Sequence, residues 1–193
     1  VNYPAEQWSK LINNLITNEN NIVSLLTVND RSELITSSYF LSRAKLAPFS
    51  IALDIYNYLV HETHYVPWTI HSKLIANLAW EMERTEYRES YLHFERRLTQ
   101  SHYSGIDFWN FENTTIIDRM FRKILIQNAC GSGNKQCLKD ALTMFEKWKD
   151  QNNTIQPDLF TYTLSYAMQS SKNLQDYEFV WQRFLSEKIT HTN

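Results

Sequence analysis

Glycine and proline are scarce in this chain, which has 193 residues but only three glycines and four prolines. Both counts fall far below average usage, and so few turn-forming residues argue against an all-β fold with many tight turns. No apolar run approaches the roughly 20 residues that a membrane-spanning helix needs. We therefore expect no direct insertion into a membrane.

An excess of charge of one sign is also missing, because 19 basic and 21 acidic side chains give a formal net charge of -2. Such a balance lacks the basic field of nucleic-acid-binding proteins, so we expect no nucleic-acid partner. The sequence opens on Val1 rather than methionine and shows no signal peptide. We interpret the chain as a piece of a longer precursor.

Aromatic side chains, in contrast, are plentiful: six tryptophans, eleven tyrosines and ten phenylalanines provide large surfaces for packing. Apolar residues recur at helical spacing almost everywhere, which predicts about nine helices joined by short turns. The predicted helices begin at or near Pro4, Asn29 or Asp30 (with Glu33 in capping-box position), Ser50, Pro67, Tyr87, Ile116, Leu138, Leu159 and Gln175. The sequence therefore predicts an all-α fold of stacked antiparallel helix pairs, an α-solenoid of the armadillo or HEAT kind.

We expect residues 1–193 to form a single helical domain, because no stretch has the composition of a linker. The last predicted helix has an apolar face at Tyr177, Val180 and Phe184, followed by a short polar tail. An unfinished end of this kind usually continues in a longer parent protein or meets a partner. The chain is therefore expected to be a fragment of a larger helical protein.

The two cysteines, Cys130 and Cys137, enclose a six-residue segment with two of the three glycines. They lie across a tight turn between two predicted helices, a geometry that permits a bridge. A disulfide that closes so short a loop would stabilise the fold by roughly 2–3 kcal/mol. Its presence would indicate an oxidising compartment. Two free buried thiols in a cytosolic protein are the alternative. A zinc site is disfavoured, because two cysteines without a nearby histidine pair do not complete a tetrahedral shell.

Two triplets fit the acceptor pattern for N-glycosylation, at Asn113 and Asn152. One precedes a predicted helix and the other lies in a polar loop, so both are expected to be exposed. Together with the cysteine pair they favour the secretory pathway, with an extracellular or membrane-anchored product.

The segment His61-Glu62-Thr63-His64 is one residue shorter than the His-Glu-x-x-His motif of zinc peptidases. Pro67 follows almost at once, and no glutamate downstream reads as a third ligand. The alternative is that both histidines lie in a last helical turn, where the helix dipole favours positive charge. The sequence therefore predicts no metal site, and the other histidines (His71, His93, His102 and His191) are expected on the solvated surface.

Three further patterns in the sequence give little evidence of a functional site. The Gly131-Ser132-Gly133 loop lacks the lysine and hydroxyl residue of a phosphate-binding P-loop. Acidic and basic residues between positions 81 and 97 indicate solvated helix faces with ion pairs at spacing three and four. An aromatic group could line a peptide groove, although core packing is the favoured reading. Its members are Trp80, Tyr87, Tyr91, Phe94 and Trp109.

An ordered set of landmarks runs along the whole chain. It comprises Val1-Asn2-Tyr3, Trp8, Arg31, Ile51-Ala52-Leu53, Tyr58-Leu59, Glu62, Tyr65, Pro67-Trp68, the Ala129-Cys130 to Cys137 turn, Pro157-Asp158-Leu159 and Phe179-Val180-Trp181. In this set the chain resembles the first half of the C-terminal helical domain of the zinc aminopeptidases typified by aminopeptidase N and the endoplasmic-reticulum aminopeptidases. The resemblance implies a disulfide between Cys130 and Cys137.

In that family the zinc motif and the Gly-Ala-Met-Glu-Asn motif lie in an earlier domain, and neither motif occurs here. The resemblance therefore implies no catalytic and no metal-binding residue in this chain, with zinc held by the parent's catalytic domain. It implies a non-catalytic cover over the active site, which helps accommodate peptide substrates. The implied partners are the catalytic domain of the same polypeptide, peptides and, as in some members, a second copy in a homodimer.

Two other functions compete with this one. The first is a free-standing helical-repeat module that binds proteins or peptides without enzymatic activity. The second is an ordinary enzyme that uses the cluster of His61, Glu62 and His64. An upstream His-Glu-x-x-His in the parent reading frame would favour the cover domain over the free-standing module.

Overall fold

The computed structural model describes residues 2–103, 108–150 and 154–186. These ranges contain ten α-helices and two 3-10 turns, and no strand. In order, the α-helices are α1 Ala5–Thr17, α2 Ile22–Leu25, α3 Val28–Arg43, α4 Phe49–Tyr56, α5 Tyr65–Met82, α6 Arg88–Tyr103, α7 Ile116–Gly131, α8 Lys135–Lys149, α9 Pro157–Ser170 and α10 Leu174–Leu185, and the 3-10 turns are Glu19–Asn21 and Asn57–His61. The predicted all-α fold is confirmed.

Side-chain caps set where α3 and α7 begin. Thr27 accepts a hydrogen bond from the backbone of Asp30, whose carboxylate accepts from the backbone and hydroxyl of Thr27. Thr115 and Asp118 repeat this reciprocal box at the start of α7. The predicted cap of α3 at Asn29 or Asp30, with Glu33 as its partner, was therefore wrong. The box lies two to three residues earlier because the threonine hydroxyl reaches the third amide of the helix.

Large aromatic side chains fill the core. Trp8 of α1, Tyr56 of α4, Tyr58 of the second 3-10 turn and Trp68 of α5 are completely buried, and Phe145 of α8 is as well. Rings of this size bury up to about 250 Å² each, so they dominate the packing between helices. The core thus extends over many of the helices rather than lying in one pair.

Helices close together in sequence make most of the packing contacts. α3 packs on α4 and α5, α5 and α6 pack on α7, and α8 packs against α9. The second 3-10 turn lies between α1 and α6. Local pairing of this kind suits stacked helix pairs, although the superhelical curvature of an α-solenoid stays a prediction.

One face of α10 is open to solvent. Tyr177, Trp181, Phe184 and Leu185 are each about half exposed, whereas Phe179 packs against Phe145 and Trp148. The helix therefore uses one side for the core and leaves an apolar stripe uncovered. This stripe includes two of the residues predicted from the sequence as an unfinished end.

Candidate functional site

The turn between α7 and α8 is closed by a disulfide between Cys130 and Cys137, whose Cα atoms lie 5.2 Å apart. Gly133 has a φ of 82°, in the left-handed region that favours glycine. Its amide donates to the carbonyl of Cys130, and the amide of Asn134 donates to that of Ala129. These two bonds end α7 in a Schellman motif. The glycine therefore reverses the chain and brings the two sulfurs together.

An open groove of about 810 Å³ lies beside this turn, between α6 and the start of α8. Arg96, Arg97 and Lys135 line it, against one acidic residue, Glu89. Arg96 donates to Glu89 at 2.5 Å and to the carbonyl of Ser132 at 2.7 Å, so it joins α6 to the end of α7. Lys135 is exposed. With three basic side chains and one acidic one, the groove favours negatively charged groups.

Glu62, from the histidine-glutamate segment, is a buried ion-pair partner rather than part of a metal site. Its carboxylate accepts from Nε and Nη2 of Arg31 at 2.5 and 3.0 Å. It also accepts from the hydroxyl of Tyr58 at 3.3 Å and the amide of His64 at 2.8 Å. Burial alone would lower the pKa of Arg31, but the bonds and charge of Glu62 outweigh it and the pKa is raised. This network joins α3 to the segment before α5.

The prediction that His61 and His64 share a last helical turn was wrong. His61 ends a 3-10 turn and its Nε2 donates to the carbonyl of Ile16 at 2.7 Å. Glu62 is extended, and His64 caps α5 by accepting from the amide of Val66. The two histidines are thus separated by an extended residue, and each bonds to backbone. Among the described residues, no group of three or more His, Cys, Asp or Glu side chains could hold a metal ion.

Two of the histidines expected on the surface lie inside the fold. His71 is completely buried and its Nε2 lies 3.1 and 3.2 Å from the two oxygens of Glu95. His102 is half-buried and donates to the carbonyl of Leu59 at 2.8 Å, and burial lowers its pKa. Only His93 is exposed, and His191 lies outside the described residues.

The aromatic group divides between core and surface. Trp109 is buried and its indole donates to the hydroxyl of Tyr103, while Tyr91 and Phe94 pack partly against the core. Trp80 and Tyr87 are 82% and 59% exposed, so the prediction that they pack in the core was wrong. They lie on either side of the turn from α5 to α6.

The acidic and basic residues of the same region form ion pairs near the surface, but not at the predicted spacing of three and four. Arg88 pairs with Glu83 at 3.0 Å and Arg96 with Glu89, across five and seven positions. Of the two glycosylation acceptors, Asn113 is exposed just before α7. Asn152 lies outside the described residues. Within residues 2–103, 108–150 and 154–186, every helix is too short or too polar to span a bilayer.

Comparison with known proteins matches the whole chain, residues 1–193, to a family model described as the ERAP1-like C-terminal domain. The chain belongs to this family. Aminopeptidase N from Oryctolagus cuniculus is 28% identical over 99% of the chain, which covers 20% of that protein. The thyrotropin-releasing hormone-degrading ectoenzyme from Rattus norvegicus is 29% identical over 96% of the chain, covering 18% of the enzyme. Aminopeptidase N from Plutella xylostella is 25% identical over 95% of the chain.

The chain spans about a fifth of the length of these relatives. The resemblance drawn from the landmark residues is therefore confirmed at the level of the family. Two landmarks, Arg31 and Glu62, form the buried ion pair, and two others, Cys130 and Cys137, form the disulfide. The landmarks thus include residues that hold the helices in place.

Proposed function

We propose that this chain is a non-catalytic helical domain of a zinc metallo-aminopeptidase, where it covers the active site and helps accommodate peptide substrates. The family match over all 193 residues is the observation that carries the proposal. The aminopeptidases it resembles are about five times longer, which leaves room for a separate catalytic domain with its zinc. The partners in this proposal are that domain, peptides and a second copy in a homodimer.

The surface of the domain supports a role in contact with other groups. The groove beside the disulfide carries Arg96, Arg97 and Lys135, which suits acidic side chains of a peptide. The apolar stripe of α10, with Trp181 and Phe184 half exposed, suits the next helix of a longer helical domain. Both features favour a domain that works within a larger protein.

A secretory location belongs to the same proposal. A disulfide such as Cys130–Cys137 persists in oxidising compartments, and one relative is named an ectoenzyme. Glycans at Asn113 and Asn152 are expected in that location. Treating the secreted protein with a peptide-N-glycosidase should increase its gel mobility, and Asn113→Gln should remove part of the shift. A secreted protein with unchanged mobility would contradict glycosylation.

Charge reversal in the groove of the full-length polypeptide tests the contact with peptides. Lys135→Glu should raise KM for a peptide with acidic side chains by about three- to five-fold, since an exposed charge contact contributes up to about 1 kcal/mol. KM for a single-residue chromogenic amide should not change, because that substrate does not reach the groove. Lys139→Glu, an exposed residue one turn further along α8, is the matched control.

Equal KM values of wild type and Lys135→Glu on the acidic peptide would contradict a groove that contacts peptides. An equal rise with the chromogenic amide would contradict it as well, because that result indicates a general effect on the enzyme. If the natural polypeptide has no upstream His-Glu-x-x-His, the free-standing binding module replaces the cover domain.

A further inference from the structure

A second, smaller cavity of about 320 Å³ opens between α5, α6, α7 and α9. We name it the Glu95 crevice. The residues that bear on its chemistry are Ser72 of α5, Tyr91 and Glu95 of α6, Asn128 of α7 and Tyr166 of α9. It is separate from the groove beside the disulfide, and the proposed cover function assigns it no role.

Glu95 is a buried carboxylate with few hydrogen-bond donors. The residue is 3% exposed, and within the described ranges its one donor is Nε2 of His71, at 3.1 and 3.2 Å from the two oxygens. A carboxylate has about four acceptor positions. A buried charge is costly unless it is paired and hydrogen-bonded. Glu95 therefore has acceptor capacity that this fold leaves unused.

Glu62 shows what a satisfied carboxylate looks like in the same molecule. It is fully buried and accepts four hydrogen bonds, two of them from the guanidinium of Arg31. Glu95 has no guanidinium partner among the described residues, but it lies at the wall of a cavity. Glu95 can therefore accept from a donor outside the chain.

The other ring nitrogen of His71 provides no donor to the crevice. Nδ1 is buried and has no hydrogen-bond partner. His71 therefore meets Glu95 through Nε2 alone, which leaves the other acceptor positions of the carboxylate unfilled.

The remaining charges of the crevice cancel, because Arg88 pairs with Glu83 at 3.0 Å. The net charge of the lining is thus -1, from Glu95. Two aromatic residues, Tyr91 and Tyr166, also line the cavity, and aromatic faces attract alkylammonium groups. We propose that the Glu95 crevice binds a primary ammonium group, from either a lysine side chain or a free amino terminus. Its three N–H donors match the unused acceptor capacity of Glu95.

Calorimetric titration of the full 193-residue chain with n-butylammonium tests the proposal, with n-butanol as the neutral probe of the same shape. Wild type should bind the ammonium saturably and the alcohol at least about ten-fold more weakly, as expected for loss of a hydrogen bond to a buried charge. Glu95→Gln should weaken ammonium binding by a similar factor. Glu86→Gln, at an exposed position just before α6 and outside the crevice, is the matched control and should bind as wild type does.

A second variant keeps the test decisive if Glu95→Gln does not fold. Ala76 is an exposed residue of α5 at the edge of the crevice, so Ala76→Phe should fill the cavity without disturbing the core. It should abolish binding, with an unchanged circular dichroism spectrum as the check of fold. Binding to Ala76→Phe equal to that of wild type would overturn the proposal.

Two further probes separate the sources of the ammonium group. Nα-acetyl-lysine amide carries only the side-chain ammonium, and alanine amide carries only the α-amine. Saturable binding of either one supports the proposal and identifies the source. Absence of binding by both and by n-butylammonium, or equal binding of butanol and butylammonium, would overturn it.

Discussion

Substitution Glu62→Gln tests the role of the buried ion pair in joining α3 to the segment before α5. The glutamine keeps the size of the side chain but removes its charge, so the guanidinium of Arg31 loses its counterion. Arg31 is 8% exposed, and its remaining partners are the carbonyls of Val23 and Leu26, at 2.9 and 2.5 Å. Breaking a buried pair on one side costs about 3–5 kcal/mol.

We expect a loss near 3 kcal/mol, because the glutamine oxygen can still accept one of the bonds from Arg31. This is a large share of the roughly 5–15 kcal/mol that stabilises a typical domain. Urea denaturation followed by far-ultraviolet circular dichroism measures the loss as a lower midpoint with an unchanged slope. Arg31→Met should cost a similar amount.

The double variant gives the coupling between the two residues. The double variant, Arg31→Met with Glu62→Gln, leaves neither charge buried without its partner. Its loss in free energy of unfolding should therefore be smaller than the sum of the two single losses by about 2 kcal/mol. Glu6→Gln is the control, since the Glu6–Lys10 pair has a similar distance of 2.7 Å but side chains that are 80% and 73% exposed. It should cost less than about 0.5 kcal/mol. If Glu62→Gln costs no more than Glu6→Gln, or if the two single losses add, the reasoning is wrong.

Three further predictions concern stability. Replacing Cys130 and Cys137 with alanine should lower the free energy of unfolding by about 2.5 kcal/mol, because the unfolded chain regains the entropy of an open loop. If a reductant leaves the urea midpoint of wild type unchanged, the disulfide does not stabilise the fold. The hydrogen bond from Lys149 lowers the pKa of Asp176 in the folded protein. The ionised carboxylate of Asp176 therefore stabilises the fold at any pH above the pKa of an unfolded aspartate, about 3.9. This stabilisation is lost as the pH falls through the lower pKa of the folded state. Asp176→Asn should therefore flatten the stability–pH curve below about pH 4, and a curve as steep as that of wild type would count against the pair. Thr27→Ala should cost about 1 kcal/mol by removing the cap of α3, whereas Thr27→Ser should cost little; equal midpoints for the two variants would refute the cap.

Periodicity was sufficient to predict the long helices. In α7 and α8, apolar residues recur three and four positions apart, and the structure has helices over Ile116–Gly131 and Lys135–Lys149. The short segment between α1 and α3 was missed. It contains a 3-10 turn and one helical turn, and both Asn18 and Asn21 have positive φ values. A segment of this length is too short for a helical period to show.

The buried polar pairs could not be predicted as pairs, because their partners are distant in sequence. Arg31 and Glu62 are separated by 31 positions, and His71 and Glu95 by 24. A signal for burial did exist, however. His71 lies three residues after Trp68 and four before Ile75, which are both buried. A polar residue on such an apolar stripe indicates an inward-facing side chain, but the pattern does not identify the hydrogen-bond partner of that side chain.

The family could be recognised from the sequence because its landmarks are spread over the whole chain. The two cavities could not be predicted from the sequence. The groove beside the disulfide and the Glu95 crevice form between helices that only the fold brings together. The glycosylation acceptors remain predictions of the sequence. The same holds for the single domain and for the curvature of the helical stack.

In the proposed function, this chain shelters a reaction centre that belongs to another domain. Zinc content and peptide turnover, measured together on the 193-residue chain and on its full-length parent, test this claim most directly. We expect about one zinc per molecule and aminopeptidase activity for the parent, and neither zinc nor activity for the chain alone. Stoichiometric zinc in the chain alone, accompanied by release of amino-terminal residues from a peptide, would contradict it.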